Sequence, residues 1–192
     1  FKGVLKFVIS QALNNTTVQV DLNNINKLPK ETDVAMSFYN SKSNKLMHTY
    51  THTLNRNQLP DTFALDPIYT YKMVVHTVPE VVVDNIKLIP GKHNTIVAQT
   101  PQGILKLSTQ GSNSQFTGIN VIVRKDNEYK TINIHKMNSE KEYLLGKYDL
   151  EMLTLPRIYF EDVEIKQSKT TEITIPLYGA VQISKGNGPA SL

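Results

Sequence analysis

The chain has 192 residues, 40% of them hydrophobic, and carries 21 Lys plus Arg against 17 Asp plus Glu for a net charge of +4. That length holds one large domain or two modest ones, and the basic residues are dispersed, with no Arg cluster interleaved with aromatics of the kind a nucleic-acid groove needs. The absence of cysteine excludes disulfides, thiolate metal centres and cysteine nucleophiles, and no segment approaches the roughly 20 apolar residues of a membrane-spanning helix.

Tyr (9) outnumbers Phe (6), Trp is absent, and Val, Ile and Thr recur in short alternating runs, a composition that favours strands. The chain opens at Phe1 without a charged-then-apolar leader, which reads as an excerpt whose targeting signal is gone. Lys2, Lys6, Lys27, Lys30, Lys42 and Lys45 make the amino-terminal part slightly basic, as expected of solvated faces that keep strand edges soluble.

In chain order, Phe1–Ser10 alternates with Leu5, Phe7 and Ile9 on one face. Asn14-Asn15-Thr16-Thr17 is a polar loop that also contains two overlapping glycosylation sequons, relevant only in a eukaryotic secretory host. Val18, Val20 and Leu22 predict a half-buried strand, and Asn23–Asp33 a loop. Val34–Tyr39, the turn Asn40–Asn44 and Leu46–Thr53 form a predicted hairpin. Phe63–Leu65 begins a segment broken by Pro67; Tyr69, Tyr71, Met73 and Val75 then alternate until Val78-Pro79 ends the strand. Val81–Leu88 and Thr95–Ala98 follow, split by Pro90-Gly91-Lys92.

Gln102–Ser108 restarts the cycle, with Ile119–Val123, Thr131–Ile134, Glu142–Leu145 and the stretch Lys147–Ile175 after it. A short helix over Ser139–Leu145, with Ser139 and Glu142 at capping-box spacing, competes with a strand there. Tyr71, Thr77, Pro79, Lys92 and Ile96 return as Tyr148, Thr154, Pro156, Lys169 and Ile173, each 77 positions later (156 − 79 = 77). Val81, Val83, Ile86 and Leu88 become Ile158, Phe160, Val163 and Ile165, so the apolar pattern persists where identity fails. Gly3, Gly103 and Gly179 each precede a similar strand (Val4–Phe7, Ile104–Leu107, Ala180–Ile183).

The expected fold class is therefore all-β: two tandem immunoglobulin-like or prealbumin-like sandwiches of about seven strands each. The expected boundaries are 1–101 and 102–178, with 179–192 as the opening strand of a further, truncated unit or a carboxy-terminal extension. That strand folds back along the second unit or continues into more chain beyond Leu192. Tyr148, Leu150, Met152, Val163, Ile165, Ile173 and Ile175 are the expected core of the second unit.

Gly146-Lys147-Tyr148-Asp149-Leu150, then Pro156, a strand, a polar turn and the Thr-rich Thr170–Ile175, resembles the carboxypeptidase regulatory-like module, a member of the transthyretin-like (prealbumin-like) sandwiches that include the B-type repeats of bacterial collagen adhesins. The first unit matches from Tyr71 onward and at Gly3, and has Tyr69 where the second has Gly146. The phrase Tyr148–Pro156 also resembles modules that follow von Willebrand factor A domains in bacterial surface proteins, although the Asp-x-Ser-x-Ser metal motif of that domain is not in this sequence. The resemblance implies an exported protein, at the cell surface or in the periplasm, in which this segment partners other domains of the same polypeptide. Some adhesin repeats close a Lys–Asn isopeptide bond; Lys106 could supply its lysine, but Thr170–Pro176 offers no Asn, and in the first unit Lys6 and Asn94 exist, with Asn94 reading as a turn residue just before Thr95.

No residue set points to catalysis, to a metal or to a cofactor. His48 and His52 have the spacing of zinc ligands on a helix, but on a strand they lie about 13 Å apart. His76, His93 and His135 fall in separate segments, and Glu161-Asp162, like Asp84-Asn85, reads as a bend or a soluble strand edge. The residues fit a non-catalytic spacer or protein-interaction module, with a carbohydrate- or peptide-binding module as the alternative. Tyr39, Tyr50 and Tyr129 are the candidate ligand platforms; Tyr69, Tyr71, Tyr143 and Tyr148 are further tyrosines, of which Tyr71 and Tyr148 fall on the core side of the alternation.

Overall fold

A computed structural model describes residues 15–22, 33–110 and 118–175. Among them there is no helix, and fourteen strands make four sheets. The first unit contains β1 (Thr17–Asp21), β2 (Val34–Asn40), β3 (Leu46–His52), β4 (Thr62–Ala64), β5 (Thr70–Val75), β6 (Val81–Lys87) and β7 (His93–Val97). The second contains β8 (Gln102–Thr109), β9 (Asn120–Lys125), β10 (Thr131–Lys136), β11 (Ser139–Leu144), β12 (Gly146–Met152), β13 (Ile158–Ile165) and β14 (Thr170–Ile175). Each unit pairs a three-stranded sheet with a four-stranded one: β4-β1-β7 with β3-β2-β5-β6, and β11-β8-β14 with β10-β9-β12-β13.

Alternation places the core. On β5, Tyr71, Met73 and Val75 point inward and are fully buried, and they meet Val18 and Val20 of the facing sheet in one apolar cluster. On β12, Tyr148, Leu150 and Met152 take the same places beside Leu105 and Leu107. The expected core of the second unit is present, with Ile173 only partly buried at its rim. A fully buried aromatic or Leu side chain contributes about 1.5–3 kcal/mol by leaving water, so these alternating positions decide which face turns inward.

The 77-residue offset is a structural repeat down to its irregularities. β5 pairs β6 with a register shift between Tyr71 and Met73, and β12 pairs β13 with one between Tyr148 and Leu150. The extra residue lies in the left-handed region at both sites, Asn85 with φ 56° and Asp162 with φ 57°. Asn and Asp tolerate that conformation better than other side chains, which is why a polar pair interrupts each apolar strand. Asp84-Asn85 and Glu161-Asp162 are thus bulges. The corner tyrosines match as well: the Tyr71 hydroxyl donates to the Asp66 carbonyl at 2.9 Å and the Tyr148 hydroxyl to the Leu144 carbonyl at 2.7 Å. Burial, reinforced at Tyr71 by the Asp66 carboxylate, pushes both phenols up to about 12.

One open choice is decided for the strand, and two expectations need correction. Ser139–Leu144 is a strand, paired antiparallel to β8 from Ser139↔Leu107 to Leu144↔Gln102, and Gly146 opens the next strand instead of ending a helix. Tyr143 is no surface platform: it is fully buried, and its hydroxyl sits in a polar network with Asn133 Nδ2 at 2.6 Å and His135 Nδ1 at 3.0 Å. His135 Nε2 faces the Ser139 carbonyl at 3.2 Å, so the neutral imidazole donates there and accepts from Tyr143, and burial lowers its pKa below the usual histidine value.

The second correction concerns the start of the first unit. β14 runs parallel to β8, and β7 runs parallel to β1 in the same register, with Thr170↔Ile104 matched by His93↔Thr17. Thr17–Asp21 therefore takes the place in the first unit that Ile104–Ser108 takes in the second, and Phe1–Ser10 with Gly3 lies outside the described residues, as does the stretch from Tyr178 onward. Two neighbouring segments with the same alternation are alternatives for one position between two partner strands, and alternation alone does not rank them. Gly103 has its own reason to be glycine: a Cβ there would come within 2.2 Å of the Lys166 carbonyl oxygen.

The units are joined closely. Ala98 N donates to the Asp21 carbonyl at 2.9 Å and Thr100 N to the Leu22 carbonyl at 3.0 Å, and Thr100 is fully buried, so the connecting residues are bound along the first unit. Across the joint, Leu145 N donates to the Pro101 carbonyl at 3.1 Å and Leu144 N to the Val78 carbonyl at 2.8 Å, while the Val78 side chain packs on the second core.

Replacing Tyr148 separates packing from hydrogen bonding. Tyr148→Ala is expected to cost about 3–5 kcal/mol as a buried aromatic truncation, and Tyr148→Phe about 0.5–1.5 kcal/mol for the hydroxyl alone. Denaturant titration checks both, and a midpoint unmoved by Tyr148→Ala would contradict the packing described.

Candidate functional site

A polar cleft of about 470 Å³ lies on the outer face of the β9–β12–β13 sheet, lined by Arg124, Asn127, Tyr129, Asp149, Glu151, Tyr159 and neighbouring residues. Cross-strand register assembles it: Glu151 stands opposite Ile122 on one side and Tyr159 on the other, and Arg124 stands opposite Asp149. At its floor the Glu151 carboxylate is buried between two guanidinium groups. Arg124 Nη1 is 2.7 Å from Glu151 Oε2, and Arg157 donates to Glu151 Oε1. The hydrogen bond from Arg157, with that from Arg124, holds the Glu151 pKa below the usual carboxylate value. Arg124 Nε also donates to the Tyr129 carbonyl at 3.2 Å, which fixes the turn that carries Tyr129.

The first unit shows that the fold does not require this triad. Offset and register put Val74 where Glu151 is, Tyr39 where Arg124 is, and Glu80 where Arg157 is. The second unit has a buried carboxylate at a position that is apolar in the first, and a buried ion group gives at best a weak stability gain over apolar packing. The triad is a local addition, and it gives the cleft donors, acceptors and two aromatic rings together.

The three candidate platforms are in different settings. Tyr129 is 99% exposed at the lip of the cleft. Tyr39 is half-buried, with Lys72 Nζ 5.2 Å above its ring. Tyr50 is also half-buried, stacked on Phe63 at 4.0 Å and on His48 at 5.9 Å, and burial raises its pKa. Tyr50 and Tyr39 project to opposite faces of their sheet, so the structure does not bring the three together. Tyr69 is partly exposed before β5, and Tyr159, which sequence reasoning missed, is 60% exposed in the cleft. Alternation with Ile158 and Phe160 was the signal that could have found it.

The histidines confirm the strand geometry. His48 is half-exposed beside Tyr50, while His52 is buried with Nε2 3.1 Å from the Val20 carbonyl. Among the described residues no three His, Cys, Asp or Glu side chains are placed to hold a metal ion. Lys106 extends to solvent and pairs with Glu172 at 3.1 Å, and Asn94, expected as a turn residue, lies instead in β7 opposite Val18, where its Oδ1 accepts from Ile89 N at 2.8 Å.

One relay was not legible in the sequence. Ser37 Oγ lies 2.8 Å from His76 Nε2, and His76 Nδ1 lies 2.8 Å from Glu80 Oε1. The connectivity is that of an acyl-transfer triad, but Ser37 is 5% exposed at the centre of β2, paired to both β3 and β5. Its backbone donors serve those ladders, and a central strand offers no pair of free N–H groups to stabilise an oxyanion. The relay clamps the loop after β5, which carries Val78, onto the sheet.

The fold and its sites define a class: a tandem of β-sandwich modules. No family model matches the chain, and no curated protein matches it. Among solved structures, the Bacillus anthracis TIE protein aligns with TM-score 0.34 and 10% identity over 84% of this chain and 33% of its own. Fervidolysin from Fervidobacterium pennivorans, a keratinolytic enzyme related to subtilisin, aligns with TM-score 0.29 and 11% identity over 72% of this chain and 24% of its own. The shaft pilin SpaA from Lactobacillus rhamnosus GG aligns with TM-score 0.28 and 10% identity over 87% of this chain and 98% of the pilin. The chain thus spans a third or less of the first two.

The comparison of units predicts the behaviour of the triad. Glu151→Ala strands two guanidinium groups and is expected to cost about 1.5–3 kcal/mol. The double change Glu151→Val with Arg124→Tyr, which copies the first unit, is expected to recover most of that loss. Chemical denaturation of the two variants checks this; equal destabilisation would show that the triad is integral to the fold.

Proposed function

We propose that the chain is a non-catalytic pair of β-sandwiches that acts as a stiff spacer and protein-interaction module within a larger exported bacterial surface protein. The observation that carries the reading is the joint. Backbone hydrogen bonds and the Val78 side chain couple two closed sandwiches with no free linker between them. A module selected only to bind needs no such coupling, whereas a spacer that must hold distance does. Boundaries at residues 101 and 178 and a position beside a von Willebrand factor A domain belong to this proposal, the latter on the strength of the Tyr148–Pro156 phrase.

One observation favours a second reading, carbohydrate or peptide binding in the second unit. Tyr129 and Tyr159 expose their rings on a cleft that also presents the guanidinium and carboxylate groups of Arg124, Glu151 and Asp149. Ring faces with planar hydrogen-bonding groups suit a polyhydroxylated ligand.

Calorimetry tests the spacer. The chain is expected to melt in one transition, and Val78→Asp to split it into two. Two independent transitions in the unmodified chain would overturn the stiff-spacer reading. Saturable binding on a glycan or peptide array, abolished by Tyr129→Ala, would establish the second reading in its place.

A further inference from the structure

A one-way chain of hydrogen bonds runs into the interior of the second unit. Lys141 Nζ donates to Asn133 Oδ1 at 3.2 Å, and Asn133 Nδ2 donates to the Tyr143 hydroxyl at 2.6 Å. That hydroxyl lies 3.0 Å from His135 Nδ1, and His135 Nε2 lies 3.2 Å from the Ser139 carbonyl. Both ends fix the direction. An ammonium group only donates, so Lys141 holds the amide oxygen of Asn133 and turns its nitrogen toward Tyr143; a carbonyl only accepts, so Nε2 carries the imidazole hydrogen. Tyr143 accepts from Asn133 and donates to the bare Nδ1 of His135.

The chain has no place for another proton. A proton taken up by His135 goes to Nδ1, which becomes a donor facing Tyr143. Tyr143, its own pKa pushed up to about 12 by burial, keeps its hydrogen, and that hydrogen loses its acceptor. The ring is fully buried and His135 is 2% exposed, so water does not make up the loss. The surroundings oppose the charge as well. β9 places Val121 opposite His135, Tyr148 of β12 lies edge-on to Tyr143, and β8 contributes Leu105 and Leu107 to the same core. Lys141 is the charged group that acts on the imidazole from β11; Glu140 and Glu142 alternate to the other side of that strand, and Lys136 on β10 is exposed. Burial lowers the His135 pKa, and Lys141 lowers it further against the opposing pull of the Ser139 carbonyl.

The first unit does without this chain. Register puts Tyr50 where His135 is, since Met36 stands between Tyr50 and Val75 as Val121 stands between His135 and Met152. It puts Phe63, opposite Val18, where Lys141 is opposite Leu105. Those two rings stack at 4.0 Å, so an aromatic pair fills the place that a histidine and a lysine take in the second unit. The fold does not demand a titratable group there. The strand that carries the chain also carries the joint: β11 lies at the edge of its sheet, and Leu144, next to Tyr143, donates its N–H to the Val78 carbonyl.

We propose that proton uptake by His135 is an acid switch for the joint: Tyr143 can no longer close the chain, the end of β11 loosens, and the Leu144 amide leaves Val78. The opened state is the one that binds the proton. An unconstrained histidine takes it near pH 6.5, about the ordinary value, and the closed unit only at lower pH. The stabilisation is therefore complete above about pH 6.5 and is lost as the pH falls toward the closed-state value, by up to about tenfold in the opening equilibrium per pH unit.

NMR titration and hydrogen exchange of the 192-residue chain test the switch. His135 is expected to titrate below the ordinary histidine value. The protection factor of the Leu144 amide is expected to fall by up to about tenfold between pH 6.5 and 5.5, while the amides of β5 in the first unit keep theirs. Lys141→Met, at an exposed position, frees the Asn133 amide to turn its oxygen to Tyr143, so the His135 titration is expected to move up and the acid loss at Leu144 to shrink. An ordinary His135 titration, a Leu144 protection factor unchanged over that range, or a His135 titration unmoved by Lys141→Met overturns the inference. Two calorimetric transitions at neutral pH would end the spacer reading and leave the His135 titration as expected, so the two fail separately.

Discussion

Everything above turns on the backbone at Leu144. Its carbonyl accepts the buried Tyr148 hydroxyl from the opposite sheet, and its N–H donates to the Val78 carbonyl of the preceding unit. One residue thus ties the inside of a sandwich to the outside neighbour. A buried phenol without an acceptor would leave an unmet polar group worth about 1–3 kcal/mol, so the tyrosine fixes the end of β11 wherever the sandwich closes. With that strand end fixed, the N–H on its far side has one direction in which to point, and the joint follows from the core.

Around this frame the two units show what the fold demands and what it leaves open. Inward positions repeat: Tyr71 and Tyr148, Met73 and Leu150, Val75 and Met152. Outward positions do not. Val74 faces out in the first unit and the buried Glu151 in the second, and Ser37 with His76 and Glu80 clamps one sheet while Arg124 with Glu151 and Arg157 spans the other. Solvent-facing positions of a sheet are under weak packing constraint, so specialisation collects there.

Much of this was legible beforehand because it is local or periodic. The 77-residue repeat, the strand alternation and the core role of Tyr148 follow from spacing alone. The bulges were half legible, since Asp84-Asn85 and Glu161-Asp162 break an apolar run, but the left-handed residue in each was not. Clusters made by register were invisible: Ser37 and His76 are 39 residues apart, and Arg124 and Glu151 meet only because β9 and β12 are neighbours. The opening strand of the first unit failed for a related reason, because parallel pairing of β1 with β7 is a distant choice between segments of equal alternation. Tyr143 failed because its burial depends on Asn133 and His135 arriving from β10 to satisfy its hydroxyl.

Hydrogen exchange at the Leu144 amide tests the central claim most directly, because that N–H belongs to the joint and not to either sandwich. The account predicts slow exchange in the intact chain and fast exchange in Val78→Asp, with the amides of β12 still protected. Fast exchange of the Leu144 amide in the intact chain, while both cores remain protected, would contradict it.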